Sequence, residues 1–213
     1  MTVATLYDIH GNLAALEAVL AEVPADATIV VGGDVCAGGS HPSETLERLR
    51  GIGDRVLWLR GNADRELTPG EVGLAPPGAL DATRAALTEE QIDFLYRLPE
   101  TQQLDNVLYC HASPRNDLDV FTERTPEEQV AFLFADVGAD TVVCGHTHMQ
   151  FDREIAGRRV VNSGSIGRPY EDAPGAYWTL DLEPRRTEYV GMEASAIPRR
   201  EWLDFCDSRS VHA

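Results

Sequence analysis

Seven side chains of the types that bind metal ions each follow a short apolar run of this 213-residue chain. They are carboxylates, imidazoles and one amide, with no thiolate among them: Asp8, His10, Asp34, Asn62, His111, His146 and His148. Imidazole and carboxylate together suit Mn, Fe, Zn or Ni better than a soft metal. Seven ligands exceed what one transition ion usually takes, so the set indicates two ions that share a carboxylate. Asp34, near the middle of the set, is the natural bridge.

Predicted strands position these ligands. The apolar runs that precede them are residues 3–7, 28–31, 56–59, 107–110 and 141–144. Short apolar runs bounded by Gly, Asp and His are typical of buried strands that end in functional loops. In open α/β sheets, ligands bind beyond the carboxyl ends of the strands, so we expect the seven side chains to meet there.

Strands and helices alternate in the first part of the chain. The predicted elements are strands 3–9, 27–34 and 56–62, helix 12–23 with Asn12 as its N-cap, and helix 42–50 ending at Gly51. This alternation indicates parallel βαβ units and therefore an α/β fold. Residues 68–79 are rich in Pro and Gly, and we interpret them as a loop or cap over the site.

The pattern changes in the second half of the chain. After helix 88–98, strand 106–110, helix 126–134 and strand 141–144, four short strands follow without helices between them: 150–155, 158–162, 176–182 and 187–192. This arrangement predicts an antiparallel second half. We interpret residues 1–193 as a single domain and residues 194–213 as a tail that docks in part, through Trp202, Leu203 and Phe205.

Composition excludes several classes of function. The formal net charge is −17, and no Lys or Arg cluster is longer than a pair, which argues against nucleic acid as a partner. No apolar run approaches the length of a membrane span, so we expect a cytoplasmic protein without a membrane partner. The chain contains no Lys, which excludes a Walker-A phosphate loop and a pyridoxal Schiff base. Its four cysteines lack CxxC spacing and are predicted to be buried.

The ligand segments resemble the calcineurin-like metallophosphoesterases, in particular the small, phosphodiesterase-like prokaryotic members. The family pattern DxH, GD, GNH(D/E), a lone H and GHxH corresponds here to Asp8/His10, Gly33-Asp34, Gly61-Asn62-Ala63-Asp64, His111 and Gly145-His146-Thr147-His148. The resemblance covers roughly residues 1–180. It implies a four-layer α/β/β/α sandwich of two mixed β-sheets flanked by helices, with two divalent metal ions, Mn favoured, at the strand ends.

The resemblance also implies a ligand set for each ion. One ion would take Asp8, His10, Asp34 and His148, and the other would take Asp34, Asn62, His111 and His146. Two ions about 3.5–4 Å apart can hold a bridging hydroxide for in-line attack on phosphorus. The implied activity is hydrolysis of a small phosphorylated compound.

Ala63 departs from the family pattern, which has His at this position. That His is thought to assist departure of the leaving oxygen, and alanine cannot donate a proton. We therefore expect a phosphodiesterase first, with a phosphomonoesterase or a dinucleoside polyphosphate hydrolase as the alternative. A non-catalytic scaffold or nucleotide sensor of the same fold is the rival; such relatives typically lose ligands, whereas all seven are present here.

Four further side chains are candidates for contact with the substrate. His41, in the loop after Asp34, could replace the missing acid, and Arg65 and Arg168 could each hold a phosphate bidentately. Asn12 could touch phosphate, although its N-cap role is equally expected. The sequence indicates no particular substrate or oligomeric state, and availability often decides which metal such ligands hold.

Overall fold

Two five-stranded mixed β-sheets pack face to face in the structure, a computed structural model in which residues 1–210 are described. The strands are β1 (Val3–Leu6), β2 (Thr28–Val31), β3 (Val56–Trp58), β4 (Thr101–Leu104), β5 (Val107–Cys110), β6 (Thr141–Cys144), β7 (Gln150–Ile155), β8 (Arg158–Ser163), β9 (Ala176–Leu180) and β10 (Glu183–Thr187). The first sheet has the order β10-β9-β1-β2-β3 and the second β4-β5-β6-β8-β7.

Seven helices in the described part of the chain flank the two sheets or lie at their strand ends. They are α1 (Leu13–Glu22), α2 (Pro42–Arg50), α3 (Asn62–Glu66), α4 (Asp81–Ala86), α5 (Glu89–Tyr96), α6 (Glu127–Val130) and α7 (Arg199–Asp207), with 3-10 turns at Gly53–Arg55 and Ala131–Leu133. Asn12 and Thr88 cap α1 and α5 through side-chain oxygens that accept backbone N–H groups. Every helix in the described part of the chain is too short or too polar to cross a membrane.

Alternation of side chains along the strands separates the core into layers. In β2, Ile29 and Val31 pack with the helix α1 side, whereas Val30 packs between the two sheets. In β6, Val142 packs with the α6 side and Val143 lies between the sheets. Successive side chains of a strand point to opposite faces, so each strand contributes to two layers. The predicted sandwich of two mixed sheets flanked by helices is confirmed.

The antiparallel interpretation of the second half is correct only for its hairpins. β7 pairs with β8 and β9 pairs with β10 in antiparallel fashion. β8, however, also pairs in parallel with β6. The next strand along the chain, β9, lies in the first sheet, where it pairs with β1. Local periodicity identifies strands but carries no information on which distant strand each one joins.

Several elements also differ from the predicted ones; the helix predicted at 126–134, for example, is α6 followed by a 3-10 turn. The strand predicted at residues 187–192 is wrong: β10 is Glu183–Thr187, and it follows a turn with positive φ at Asp181 and Leu182. β4 is not predicted because its sequence, TQQL, lies at a sheet edge and lacks an apolar face. The strand predicted at 56–62 ends at Trp58, and the chain enters α3 at Asn62.

The C-terminal helix α7 packs against the loops at the strand ends. Arg124 pairs with Asp204 at 2.8 Å and with Asp207, and Arg199 pairs with Glu123 at 2.8 Å. Leu203 and Cys206 are the buried residues of this helix. The last three residues of the predicted tail, 211–213, lie outside the described residues.

Candidate metal centre

The structure brings the seven predicted ligands together at the carboxyl ends of both sheets. Asp8 and His10 follow β1, Asp34 follows β2, and Asn62 follows β3, all in the first sheet. The second sheet contributes His111 after β5, and His146 and His148 after β6. Six of the seven side chains are buried and His146 is half-buried. The candidate centre therefore lies on the seam between the sheets.

Five of these ligands have a left-handed backbone. The φ angles are 53° at Asp8, 51° at His10, 53° at Asp34, 67° at His146 and 61° at His148. Non-glycine residues rarely adopt this region, and such strain is kept at functional sites by the surrounding structure. Backbone hydrogen bonds between the ligand loops hold it here: His10 N donates to Asp34 O at 2.9 Å, and Gly145 N donates to His111 O at 2.8 Å.

Two overlapping clusters of donor atoms result. Asp8, His10 and His148 offer atoms that all lie within 4.8 Å of one another, and so do Asp8, Asp34 and His111. Asp34 faces both clusters: its Oδ2 lies 3.8 Å from His10 Nε2 and its Oδ1 lies 3.7 Å from His111 Nε2. Asp8 Oδ1 likewise lies 3.3 Å from His148 Nε2 and 4.0 Å from His111 Nε2. Both carboxylates are therefore placed between the two histidine groups.

Asn62 and His146 complete the second cluster. Asn62 Oδ1 lies 3.2 Å from His111 Nε2, and His146 Nδ1 lies 3.3 Å from the same nitrogen. The amide of Asn62 is fixed in orientation because its Nδ2 donates to Glu66 Oε1 at 2.9 Å. Its oxygen is thereby turned towards the histidines.

The hydrogen bonds of the imidazoles test whether the cluster fits a cation. His10 Nδ1 donates to Ala37 O at 2.6 Å, His111 Nδ1 to Gly32 O at 2.8 Å, and His148 Nδ1 to Arg168 O at 2.7 Å. A carbonyl oxygen only accepts, so in each neutral ring Nε2 carries a lone pair that points inwards. Backbone partners of this kind orient histidines that ligate metals.

Three acceptor atoms lie close together in the cluster, and no hydrogen atom lies between them to form a hydrogen bond. His10 Nε2 and His148 Nε2 are 3.2 Å apart, and Asp8 Oδ1 beside them is buried without a hydrogen-bond partner. An unpaired buried carboxylate oxygen is costly. A cation between these atoms satisfies all three, so the residues present fit a metal ion.

Burial also sets the charges of the cluster. It lowers the pKa of His10 and of His146 to about 3, which keeps both rings neutral. Burial, together with the negative charges of Asp8 and Asp64, raises the pKa of Asp34 to about 7. Burial alone would raise the pKa of Asp8, but the neighbouring His148, His111 and His10 hold it well below its usual range. A neutral imidazole, as at His10 and His146, and an ionised carboxylate, as at Asp8, are the states that a divalent cation binds.

Two buried acids, Asp64 and Glu66, accept hydrogen bonds that hold the ligand loops in position. Asp64 accepts hydrogen bonds from the backbone N–H groups of Asp34, Val35 and Gly61 at 2.7, 3.0 and 3.0 Å, and so joins the ligand loop after β2 to the one after β3. Glu66, besides holding Asn62, accepts from the backbone N–H of Leu74 at 2.9 Å. The sequence analysis missed Glu66, although its i,i+4 spacing from Asn62 would have indicated the contact had α3 been predicted.

The structure does not group all four further candidates with the ligands. His41 is exposed at the start of α2 and makes no capping hydrogen bond. The Asn12 side chain accepts from Ala15 N at 3.1 Å and donates to Gly167 O at 3.3 Å and Tyr189 Oη at 3.0 Å. Both amide hydrogens of Asn12 are therefore engaged, and its capping role leaves no free donor for phosphate.

The two candidate arginines differ in availability. Arg65 is bound bidentately to Asp117, at 2.8 and 3.1 Å, and is 14% exposed, so it joins two loops rather than facing an open phosphate site. The exposed Arg168 side chain is close enough to His10 to lower the pKa of that ring, after the larger effects of burial and His148. Its guanidinium also lies by Gly38, where a β-carbon would be 3.1 Å from Nη1.

A cavity of about 350 Å³ opens beside the cluster. Its lining includes Asp34, Asn62, His146 and His148, together with side chains of α7 and of the 68–79 loop. Trp202 of α7 donates from Nε1 to Thr147 O, between two of the ligands, at 2.8 Å. Sequence reasoning had no signal for this contact, since 55 residues separate the partners.

Known proteins are similar to this chain in sequence and fold. A family model of the calcineurin-like phosphoesterase superfamily domain matches residues 1–185. An uncharacterized protein of Methanocaldococcus jannaschii is 26% identical, over 90% of this chain and 87% of its own length. A crystal structure of a metallophosphoesterase from Sphaerobacter thermophilus has a TM-score of 0.75 at 24% identity, and the match covers 89% of both chains.

A shorter match concerns a named enzyme. A symmetrical bis(5'-nucleosyl)-tetraphosphatase of Janthinobacterium is 30% identical over 53% of this chain. The match spans 43% of the length of that relative. The family model, by contrast, spans most of the chain and includes all seven predicted ligands. The resemblance seen in the sequence is thereby confirmed, and this chain belongs to the calcineurin-like phosphoesterase superfamily.

Proposed function

We propose that this protein is a dinuclear metal-dependent phosphoesterase that hydrolyses a small phosphorylated compound and favours phosphodiesters. The observation that carries the proposal is the unpaired Asp8 Oδ1 beside two inward-facing imidazole lone pairs, next to an open cavity. Seven such donors, two of them carboxylates that face both histidine groups, favour two ions over one.

The residues divide between the ions as follows. One ion takes Asp8, His10, Asp34 and His148, and the other takes Asp34, Asn62, His111 and His146. When bound, such ions supply Lewis-acid stabilisation of phosphoryl charge and lower the pKa of water. Mn is the first choice for reconstitution among the metals that accept these ligands.

The side chains around the ions would orient the substrate and restrict its class. Arg168, exposed near His10, offers a guanidinium for a phosphate oxygen. Ala63 offers no proton to a leaving oxygen, which disfavours esters with poor leaving groups. This absence supports a phosphodiester, or another ester with a stable leaving group, over an alkyl phosphomonoester.

Two alternatives follow from specific observations. The tetraphosphatase relative supports a dinucleoside polyphosphate hydrolase, although that match covers 43% of the relative. A phosphomonoesterase requires an acid other than the missing histidine, and the exposed His41 is the candidate side chain. A non-catalytic scaffold is disfavoured because all seven donor side chains are retained and oriented.

The test compares hydrolysis of bis(p-nitrophenyl) phosphate and p-nitrophenyl phosphate by Mn-reconstituted protein. We expect metal-dependent turnover with a preference for the diester. Asp34→Asn should abolish it, whereas Asp54→Asn, which changes an exposed acid in a 3-10 turn, should not. A preference for the monoester would contradict the phosphodiesterase assignment, and His41→Ala would then test the substitute acid. Absence of turnover with either substrate would contradict the esterase itself.

A further inference from the structure

The cavity beside the candidate centre has two chemically different walls. The polar wall consists of proposed metal ligands, as described above. The second wall consists of the lining residues from the 68–79 loop, the loop before α6 and helix α7: Leu74, Pro76, Val120, Trp202, Phe205, Cys206 and Arg209. The α7 residues lie beyond residues 1–185, so this part of the wall is not within the region that matches the family model.

The second wall is apolar and partly uncovered. Leu74 is 46% exposed and Phe205 is 44% exposed, although both are large apolar side chains. The indole N–H of Trp202 is already bonded to Thr147 O, so this wall gains no donor from it. Apart from the guanidinium of Arg209, the side chains of this wall offer no free donor, so a substrate group rich in hydroxyls would lose most of its hydrogen bonds to water here. An apolar group would instead cover Leu74 and Phe205.

The geometry of the wall favours a planar group. The Trp202 and Phe205 rings are stacked, with centroids 5.1 Å apart and planes at 23°, and Tyr170 stacks on Trp202 at 3.8 Å. Arg209 extends this column, with its guanidinium carbon 4.8 Å from the Phe205 centroid. Offset aromatic rings and a guanidinium plane both interact favourably with a further aromatic ring.

Contacts around α7 hold this wall in place before any ligand binds. Arg124 pairs with Asp204 at 2.8 Å, and Arg199 pairs with Glu123 at 2.8 Å and with Glu171 at 3.3 Å. A preformed wall costs little ordering on binding. The cavity volume, about 350 Å³, is that of a site for one small ligand rather than for a macromolecule.

We propose that this cavity is a specificity subsite for a planar aromatic group, an aryl ring or nucleobase, carried by the phosphoester substrate. The inference rests on the proposed function, since the phosphate would lie at the metal ligands and the ring against Phe205 and Leu74. Helix α7 thereby selects among substrates that the ligands alone would not distinguish.

Non-hydrolysable phosphonates test the subsite without turnover. Phenyl-, cyclohexyl- and methylphosphonate present the same head group and differ only in the group that would enter the cavity. We measure their affinities for the Mn-loaded protein by calorimetry. Phenylphosphonate should bind about threefold to tenfold more tightly than cyclohexylphosphonate, the range expected for an aromatic pair. Methylphosphonate should bind most weakly.

A matched pair of variants locates the effect. Phe205→Leu keeps an apolar side chain but removes the ring, and it should erase the preference for phenyl over cyclohexyl while leaving methylphosphonate affinity unchanged. Phe132→Leu is the control, because Phe132 is also 36% exposed and lies under an arginine, Arg115 at 5.1 Å, but lines a different cavity. That variant should retain the full preference.

The outcomes separate the subsite from the proposed function. Equal affinity for phenyl and cyclohexyl in the wild type would overturn the aromatic class, and a preference that survives Phe205→Leu would overturn its location. Failure of all three phosphonates to bind would overturn the proposed phosphate site itself. Binding of methylphosphonate with no gain from the phenyl group would overturn the subsite alone.

Discussion

Two glycines at the candidate centre leave no room for a larger residue. A β-carbon on Gly61 would lie 2.2 Å from Asp34 Oδ1, and one on Gly145 would lie 2.6 Å from Asp8 Oδ2. Gly61 has an ordinary extended backbone, with φ −93° and ψ 172°, so it is required for space and not for conformation. The GN and GH motifs therefore leave room for the carboxylates that the neighbouring strands deliver.

Gly61→Ala should abolish the centre. Its methyl group would displace Asp34, and we expect Mn affinity to fall about a hundredfold, the upper range for disturbing the groups that position a metal ligand. Calorimetric titration with Mn measures the change. Gly138→Ala is the matched control, since a β-carbon there meets no atom within 4 Å. Retention of affinity within threefold in Gly61→Ala would show that Asp34 is not a ligand.

Ala63→His should shift the substrate preference towards monoesters. Ala63 is adjacent to the ligand Asn62, and its backbone N–H donates to Asp34 Oδ1 at 2.8 Å. An imidazole there could protonate a leaving oxygen, and we expect the ratio of monoester to diester kcat/KM to rise about tenfold or more. Ala63→Phe, a ring without a donor, is the control. Equal ratios in the two variants would exclude proton donation, and thermal unfolding verifies that both fold.

At the scale of elements, the loop between β6 and β7 is held from three separate parts of the chain. Asn162 Nδ2 donates to Gly145 O at 2.7 Å, Tyr170 N donates to His148 O at 3.2 Å, and Trp202 Nε1 donates to Thr147 O. These contacts keep His146 and His148 in the left-handed region. Helix α7 is thus a support for the ligand loop as well as a wall of the cavity.

Trp202→Phe should loosen that loop while preserving the stacked ring. The variant loses the indole N–H, and we expect Mn affinity to fall about tenfold, the lower range for loss of an outer hydrogen bond to a metal site. Trp58→Phe, in the core against Phe94, is the matched control and should leave Mn affinity unchanged. An unchanged affinity in Trp202→Phe would mean that α7 does not support the ligands.

At the scale of the whole molecule, the seven proposed ligands come from two sheets that meet through side-chain packing. Four of the seven ligands follow strands of the first sheet and three follow strands of the second. A cation bound on this seam stabilises only the folded chain, because the ligands come together only there. Metal binding should therefore be visible in global stability.

Removal of metal should lower the melting temperature. At a free Mn concentration about a hundred times Kd, each bound ion adds about 2.7 kcal/mol, which for a chain of this size corresponds to about 5–10 °C per ion. Differential scanning calorimetry with Mn and then with excess EDTA measures the shift. Asp34→Asn should show little shift and Asp54→Asn the full one. A shift of equal size in all three proteins would place the stabilising metal elsewhere.

Much of the fold was predictable because strand and helix patterns are local. Apolar runs coincide with β2, β5 and β6, the strand predicted at 150–155 is β7, and the helix predicted at 88–98 contains α5. The edge strand β4 and the short α4 were missed, since β4 has no apolar face and α4 has no long period. The parallel pairing of β6 with β8 depends on contacts between distant segments, which periodicity does not encode.

The sequence by itself determined the chemistry: which side chains can bind metal, that each follows a strand, and that Ala63 lacks a proton to donate. Those properties depend only on the residue types and on the sequence around each residue. Only the tertiary structure decided which side chains are free to act, because hydrogen bonds engage Asn12 and Arg65 and leave Asp8 Oδ1 unpaired. It also placed α7 beside the ligands, since docking of a distant helix depends on the surfaces that folding creates.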